Sequence, residues 1–136
     1  MKKMRTIKSL LIIGVAVLMT SCASTAKFPV SNTVPAAEIT AMKKQDKHQN
    51  YIIELTAINL AEASRLSPQM NNYSVWIVAD DGTTKNIGQL TNKNAKKAVL
   101  KTSTPFNVRE IFITAEEQGD LTYPSGNEIT RTTFDK

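Results

Sequence analysis

The chain has 136 residues, 41% hydrophobic and 21% charged, with one cysteine and one histidine. That length holds one domain with one modest core, and a lone cysteine excludes an internal disulfide framework. The formal charge of +5 misleads: Lys2, Lys3, Arg5 and Lys8 all precede the first apolar run, leaving thirteen basic residues against 12 acidic ones, without the basic footprint of a nucleic-acid binder.

The N-terminus is a basic segment, Met1–Lys8, then the apolar run Ser9–Leu18, then Met19-Thr20-Ser21-Cys22. This is the three-part layout of a secretory signal. Leu10–Leu18 is too short to span the ~30 Å hydrocarbon core of a bilayer. A longer uncharged stretch, Ser9–Ala26, reaches a spanning length only if Thr20, Ser21, Ser24 and Thr25 enter the bilayer. The end of the run resembles the lipobox of bacterial lipoproteins, with Met19 where that pattern prefers leucine. The resemblance implies that residues 1–21 are a cleaved signal peptide. It also implies that Cys22 is the lipid attachment site, carrying several acyl chains, palmitate among them, and that the mature chain hangs from a membrane. One acyl chain anchors weakly and several anchor stably. Ala23 after the cysteine leaves out the aspartate that retains lipoproteins in the inner membrane. The expected location is the outer membrane, facing the periplasm or the cell surface.

Residues 22–34 are small and polar, with Pro29 inside and Pro35 just after, and are expected as an extended tether. From residue 35 the pattern has period two. Ala37, Ile39 and Ala41 alternate with Glu38, Thr40 and Met42. The polar stretch Lys43–Asn50 suits a hairpin tip, and Tyr51–Ile58 reads as the returning strand. Leu60–Asn72 is irregular, with a helical turn expected at Leu60–Arg65. Tyr73–Ala79 is rich in β-branched and aromatic residues, and Asp80-Asp81-Gly82-Thr83 is a turn signal. Further strands are expected at Thr84–Leu90, Lys97–Thr102, Val108–Glu116 and Glu128–Phe134. About seven strands with closely spaced turn signals predict an all-β domain over 35–136, an antiparallel, immunoglobulin-like β-sandwich.

Five pieces occur in order: Tyr73-Ser74-Val75-Trp76, Asp81-Gly82, Ile87-Gly88-Gln89-Leu90, Ile113-Thr114-Ala115-Glu116 and Tyr123-Pro124-Ser125-Gly126. Together they resemble the extracytoplasmic C-terminal domain of anti-sigma-K factors, over fewer than half of the residues. The resemblance implies a fold and a compartment outside the cytoplasm. It does not bring the regulatory activity, because the short segment before the apolar run has no room for a sigma-binding domain. Trp76 is expected between the sheets and Tyr73, an odd step away, on the other face. Pro124-Ser125-Gly126 is expected to shape a turn, with Gly126 at positive φ.

Candidate chemistry is sparse. Asp80-Asp81-Gly82 lacks the alternating acidic ligands of a calcium loop, His48 sits in a polar turn, and no metal or other cofactor is expected. Glu116, Glu117 and Asp120 are the carboxylates on which a hydrolase would have to rest, but adjacent strand residues point to opposite faces. The basic cluster of Lys93, Lys96, Lys97 and Lys101 suits anionic glycan or lipid headgroups, but reads first as protection of an exposed or edge strand. The expectation is a non-catalytic interaction, sensing or structural domain of the cell envelope, partnered by the membrane through its lipid and by an envelope protein or glycan. A carbohydrate-binding surface lipoprotein is the alternative, and it requires an exposed Trp76 beside Tyr73 or Tyr123.

Overall fold

The computed structural model describes residues 23–94 and 96–134, omitting the side chains of 92–94. The lipid attachment at Cys22 and the signal peptide lie outside these residues. The described chain is all β apart from one 3₁₀ turn at Ala63–Arg65, which falls inside the expected helical turn.

Nine strands form: β1 Ala23–Lys27, β2 Glu38–Gln45, β3 Tyr51–Ile58, β4 Asn72–Ala79, β5 Thr84–Gln89, β6 Thr91–Asn94, β7 Lys97–Thr104, β8 Val108–Glu116 and β9 Asn127–Thr133. They make two antiparallel sheets, β1-β2-β3-β7-β6 and β5-β4-β8-β9. Setting β1 aside, the neighbours follow the ABED and C′CFG orders of an immunoglobulin-like sandwich. The expected fold class is therefore present, with two more strands than predicted. The extra pair, β1 and β6, are short polar segments without alternating apolar residues, so period two could not reveal them.

The segment read as a tether is part of the sandwich. β1 pairs with β2 from Ala23↔Lys44 to Lys27↔Thr40. Ala26, Phe28 and Val34 are buried in the main core, and Ser31 Oγ accepts the N–H groups of Thr33 and Val34. Thr132 Oγ1 and Thr130 Oγ1 donate to the Lys27 and Pro29 carbonyls, sewing this segment to β9 of the other sheet. Its backbone is extended over Ala23–Lys27 and then bends from residue 32 into a turn at 35–36, and Ala26, Phe28 and Val34 decide that it is packed.

The main core lies between the sheets. It takes Ile39 and Ala41 from β2, Ile53, Leu55 and Ala57 from β3, Tyr73, Val75 and Ile77 from β4, and Ile111, Ile113 and Ala115 from β8. Tyr73 donates its hydroxyl to the Ala61 carbonyl at 2.7 Å. A second cluster, Trp76, Val78 and Phe112 with Leu121 against it, lies on the outward face of β4 and β8. Trp76 is thus buried, but on the face away from the other sheet, which corrects the expectation that it fills the inter-sheet space. An apolar run with no alternation does not say which of its faces meets the partner sheet.

The β4–β5 turn behaves as read, whereas β2 runs on through Gln45, three residues into the stretch expected as the hairpin tip, because Lys43–Gln45 pair with Tyr51–Ile53. Gly82 takes φ +87° in the β4–β5 hairpin, and Asp81 Oδ1 accepts the Thr83 N–H. Asp46 Oδ1 accepts the N–H groups of His48 and Asn50 at the β2–β3 tip, leaving His48 exposed. Lys97 and Lys101 lie on β7, an interior strand flanked by β3 and β6 rather than an edge, and Lys101 is 3.9 Å from Glu54.

Two outcomes test this packing. Phe28→Ala is expected to lower the unfolding free energy by about 3–4 kcal/mol, read from urea denaturation, whereas a residue in a free tether would leave the midpoint unchanged. Burial pushes the Tyr73 phenol up to about 12 from 10.0. Its folded value lies above its unfolded one, so its contribution holds below pH 10 and is lost as pH rises from 10 towards 12. Tyr73→Phe is expected to flatten the alkaline arm of a stability–pH profile.

Candidate functional site

The outward face of β4 and β8 is apolar at Trp76, Val78 and Phe112 and needs a cover. The loop over 117–126, between β8 and β9, folds back across it and lays Leu121 on the cluster. On the β9 side the Arg131 guanidinium lies 4.0 Å from the centre of the Phe112 ring. Arg131 is held there by Glu110 at 2.9 Å and Glu128 at 2.7 Å. Trp76 and Phe112 are register partners with ring centres 6.3 Å apart, inclined at 15°.

Polar groups pin the loop at three points. Asn86 of β5 donates Nδ2 to the Gly119 and Leu121 carbonyls, while its Oδ1 accepts the Gly88 N–H. Asn71 donates to the Glu117 carbonyl. The third point is Glu116, at the end of β8 and only 1% exposed. Its carboxylate accepts the Thr114 hydroxyl at 2.6 Å, the Ser125 N–H at 3.2 Å, the Ser125 hydroxyl at 3.0 Å and the Gly126 N–H. Thr114 Oγ1 in turn accepts the Trp76 indole N–H at 2.8 Å. A hydroxyl both accepts and donates, so one chain of hydrogen bonds runs from Trp76 through Thr114 to Glu116 and into the loop.

Burial by itself pushes the Glu116 carboxyl up. The hydrogen bonds from Thr114, Gly126 and Ser125 outweigh it and hold the group below its ordinary value. It is an ionised anchor. Gly126 is required for space: φ there is not positive, contrary to expectation, and a Cβ would strike the Ala115 carbonyl oxygen.

Above Glu116 a cleft of about 370 Å³ opens between the loop and Met70. A second hollow of about 280 Å³ adjoins it, sharing Met70 and bounded by Tyr73 and Leu90. Of the three carboxylates considered from the sequence, Glu116 and Glu117 line the larger cleft and Asp120 does not. Glu117 is exposed while Glu116 is buried, as the opposite faces of adjacent strand residues require. Trp76 is 0% exposed and Tyr73 6%, while Tyr123 stands 74% exposed on the loop. The flat pair of aromatics that the carbohydrate alternative requires is not formed by these residues.

The same-face pair Thr114 and Glu116, polar within an apolar strand, was the one available sign of this network. What it would bond to depended on the loop's return path. The fold and the pinned loop define an immunoglobulin-like domain with a buried carboxylate anchor. Comparison with protein-family models, curated proteins and solved structures finds no match for this chain.

Because the folded Glu116 carboxyl lies below its ordinary 4.5, its contribution to stability is fully present above that pH and is lost as pH falls from there through the lower folded value. Glu116→Gln is expected to cost about 2–3 kcal/mol at pH 7. Urea midpoints measured at pH 7 and pH 3 should show the gap from the wild type narrowing at the lower pH.

Proposed function

We propose that this chain is a lipid-anchored envelope protein whose β-sandwich serves interaction or sensing rather than catalysis. The observation that carries the reading is the direction of the sandwich. Ala23, next to Cys22, pairs with Lys44 beside the β2–β3 tip, and Lys43 reaches the Val108 carbonyl at the start of β8. Glu116 and the cleft stand at the other end of β8. Strands of eight or nine residues separate the two poles by about 25–30 Å. A lipid on Cys22 would hold the Ala23 pole at the membrane and turn the cleft and exposed Tyr123 outward, towards an envelope protein or glycan.

The state of Glu116 supports a non-catalytic role. A general acid needs a raised pKa, and a general base needs a free lone pair aimed at substrate. Glu116 has a lowered pKa and is bonded by Thr114, Ser125 and Gly126. It is the only carboxylate buried among the described residues.

The pieces that resemble the outer domain of anti-sigma-K factors converge at the same place. Trp76, Thr114, Glu116, Ser125 and Gly126 come from three of the five matching pieces, and all meet in one network.

The test is the chain in its native membrane. Intact mass should show Cys22–Lys136 plus the acyl modification, and Cys22→Ala should abolish it and release the domain from the membrane fraction. A photo-crosslinking residue at position 123 should then capture an envelope component that the same residue at position 47, on the opposite pole, does not. A soluble, unmodified wild type would overturn the anchor, and equal capture from both poles would overturn the outward cleft.

A further inference from the structure

The pole next to Ala23 holds a cluster whose chemistry the interaction reading leaves unused. Lys43 follows Ile39 and Ala41 on the inward face of β2, and its side chain enters the open end of the sandwich. Nζ donates to Asn107 Oδ1 at 3.0 Å and to the Val108 carbonyl at 2.8 Å. Asn107 donates Nδ2 to Asp80 Oδ2 at 2.7 Å. The Lys43 amine also lies 5.0 Å from the centre of the Phe134 ring and 5.8 Å from that of Tyr51. An amine, a carboxamide and a carboxylate thus stand in contact in a row, from half-buried Lys43 at the rim of the sandwich to exposed Asp80 in the turn after β4, with the amine against aromatic rings.

We propose that Lys43 and Asn107 are the partners of an intramolecular isopeptide bond, with Asp80 as the proton carrier. In the reaction the neutral Lys43 amine attacks the Asn107 side-chain carbonyl carbon. The new bond joins Nζ to Cγ, and the bond from Cγ to Nδ2 breaks. Asp80 takes the proton released by the amine and returns it to Nδ2, which it already contacts, and ammonia leaves. The product is a secondary amide, with no oxidant and no cofactor required. Loss of hydration lowers the Lys43 pKa, against the opposing charge of Asp80, which favours the neutral nucleophile. Holding nucleophile and carbonyl together supplies much of the barrier reduction such a step needs. The bond would join β2 of one sheet to the start of β8 in the other, across 64 residues of sequence. It would clamp the sheets at the pole where the chain enters the domain.

The experiment is a tryptic peptide map of the purified full chain. Trypsin does not cut after an acylated lysine, so the bonded protein should yield Phe28–Lys44 joined to Thr102–Arg109, lighter than the two peptides together by one ammonia. The linear peptides should be correspondingly lost. Asp80→Asn should restore cleavage after Lys43 and return Thr102–Arg109 as a free peptide. Recovery of only linear peptides from the wild type, with Asn107 intact, overturns the proposal without reliance on any variant's folding. A joined product of wild-type yield in Asp80→Asn overturns the role given to Asp80.

Discussion

The Glu116 carboxylate, ionised and almost wholly removed from water, is the constraint around which one half of this sandwich is arranged. A buried charge is tolerated only when its lone pairs are occupied. Here the occupants come from two places. Thr114 lies two residues back on the same strand face, and Ser125 and Gly126 lie on the returning loop. Satisfying the charge therefore requires the loop to close, and closing the loop covers Trp76, Val78 and Phe112. The polar network and the apolar cluster sustain each other: without the cover the carboxylate would be hydrated, and without the carboxylate the cover would lose its tie at Ser125 and Gly126.

This arrangement departs from the immunoglobulin pattern in a specific way. There, a buried tryptophan on the C strand packs between the sheets against a disulfide. Here the equivalent strand, β4, turns Trp76 outward and gives the inter-sheet space to Tyr73, Val75 and Ile77. With no disulfide among the described residues, the sheets are joined by aliphatic packing and by side-chain bonds at the rims. Thr130 and Thr132 bond to the β1 segment on one side, and Lys43 bonds to Asn107 and Val108 at one pole. The outer face of β4 and β8 then carries a second small core of its own, with Arg131 over Phe112 and Leu121 from the loop as its lid.

Much of the strand framework was legible in the sequence. Tyr51–Ile58 and Val108–Glu116 form as read, and β4, β5, β7 and β9 differ from expectation by at most two residues at an end. These strands carry enough β-branched and apolar residues for local preference and burial to agree. β1 was hidden because Ala-Ser-Thr-Ala-Lys has neither a strong β preference nor an apolar stripe; it is a strand because β2 offers an open edge. β6 is short for the same reason and exists as the neighbour of β7.

The candidate site was legible only in pieces. Spacing established that Glu116 and Glu117 point to opposite faces, that Tyr73 and Trp76 do too, and that Asp80–Thr83 is a turn, because each is a matter of backbone period or local hydrogen bonding. Which face meets the other sheet, whether Glu116 is solvated or buried, and whether residues 22–34 hang free or pack were not local questions. Their answers depend on where a loop nine residues further on returns, and on a core built from strands tens of residues apart. Composition and period thus determined an all-β chain with its main strands, while burial, which belongs to the assembled sandwich, decided the roles of Trp76, Glu116 and Phe28.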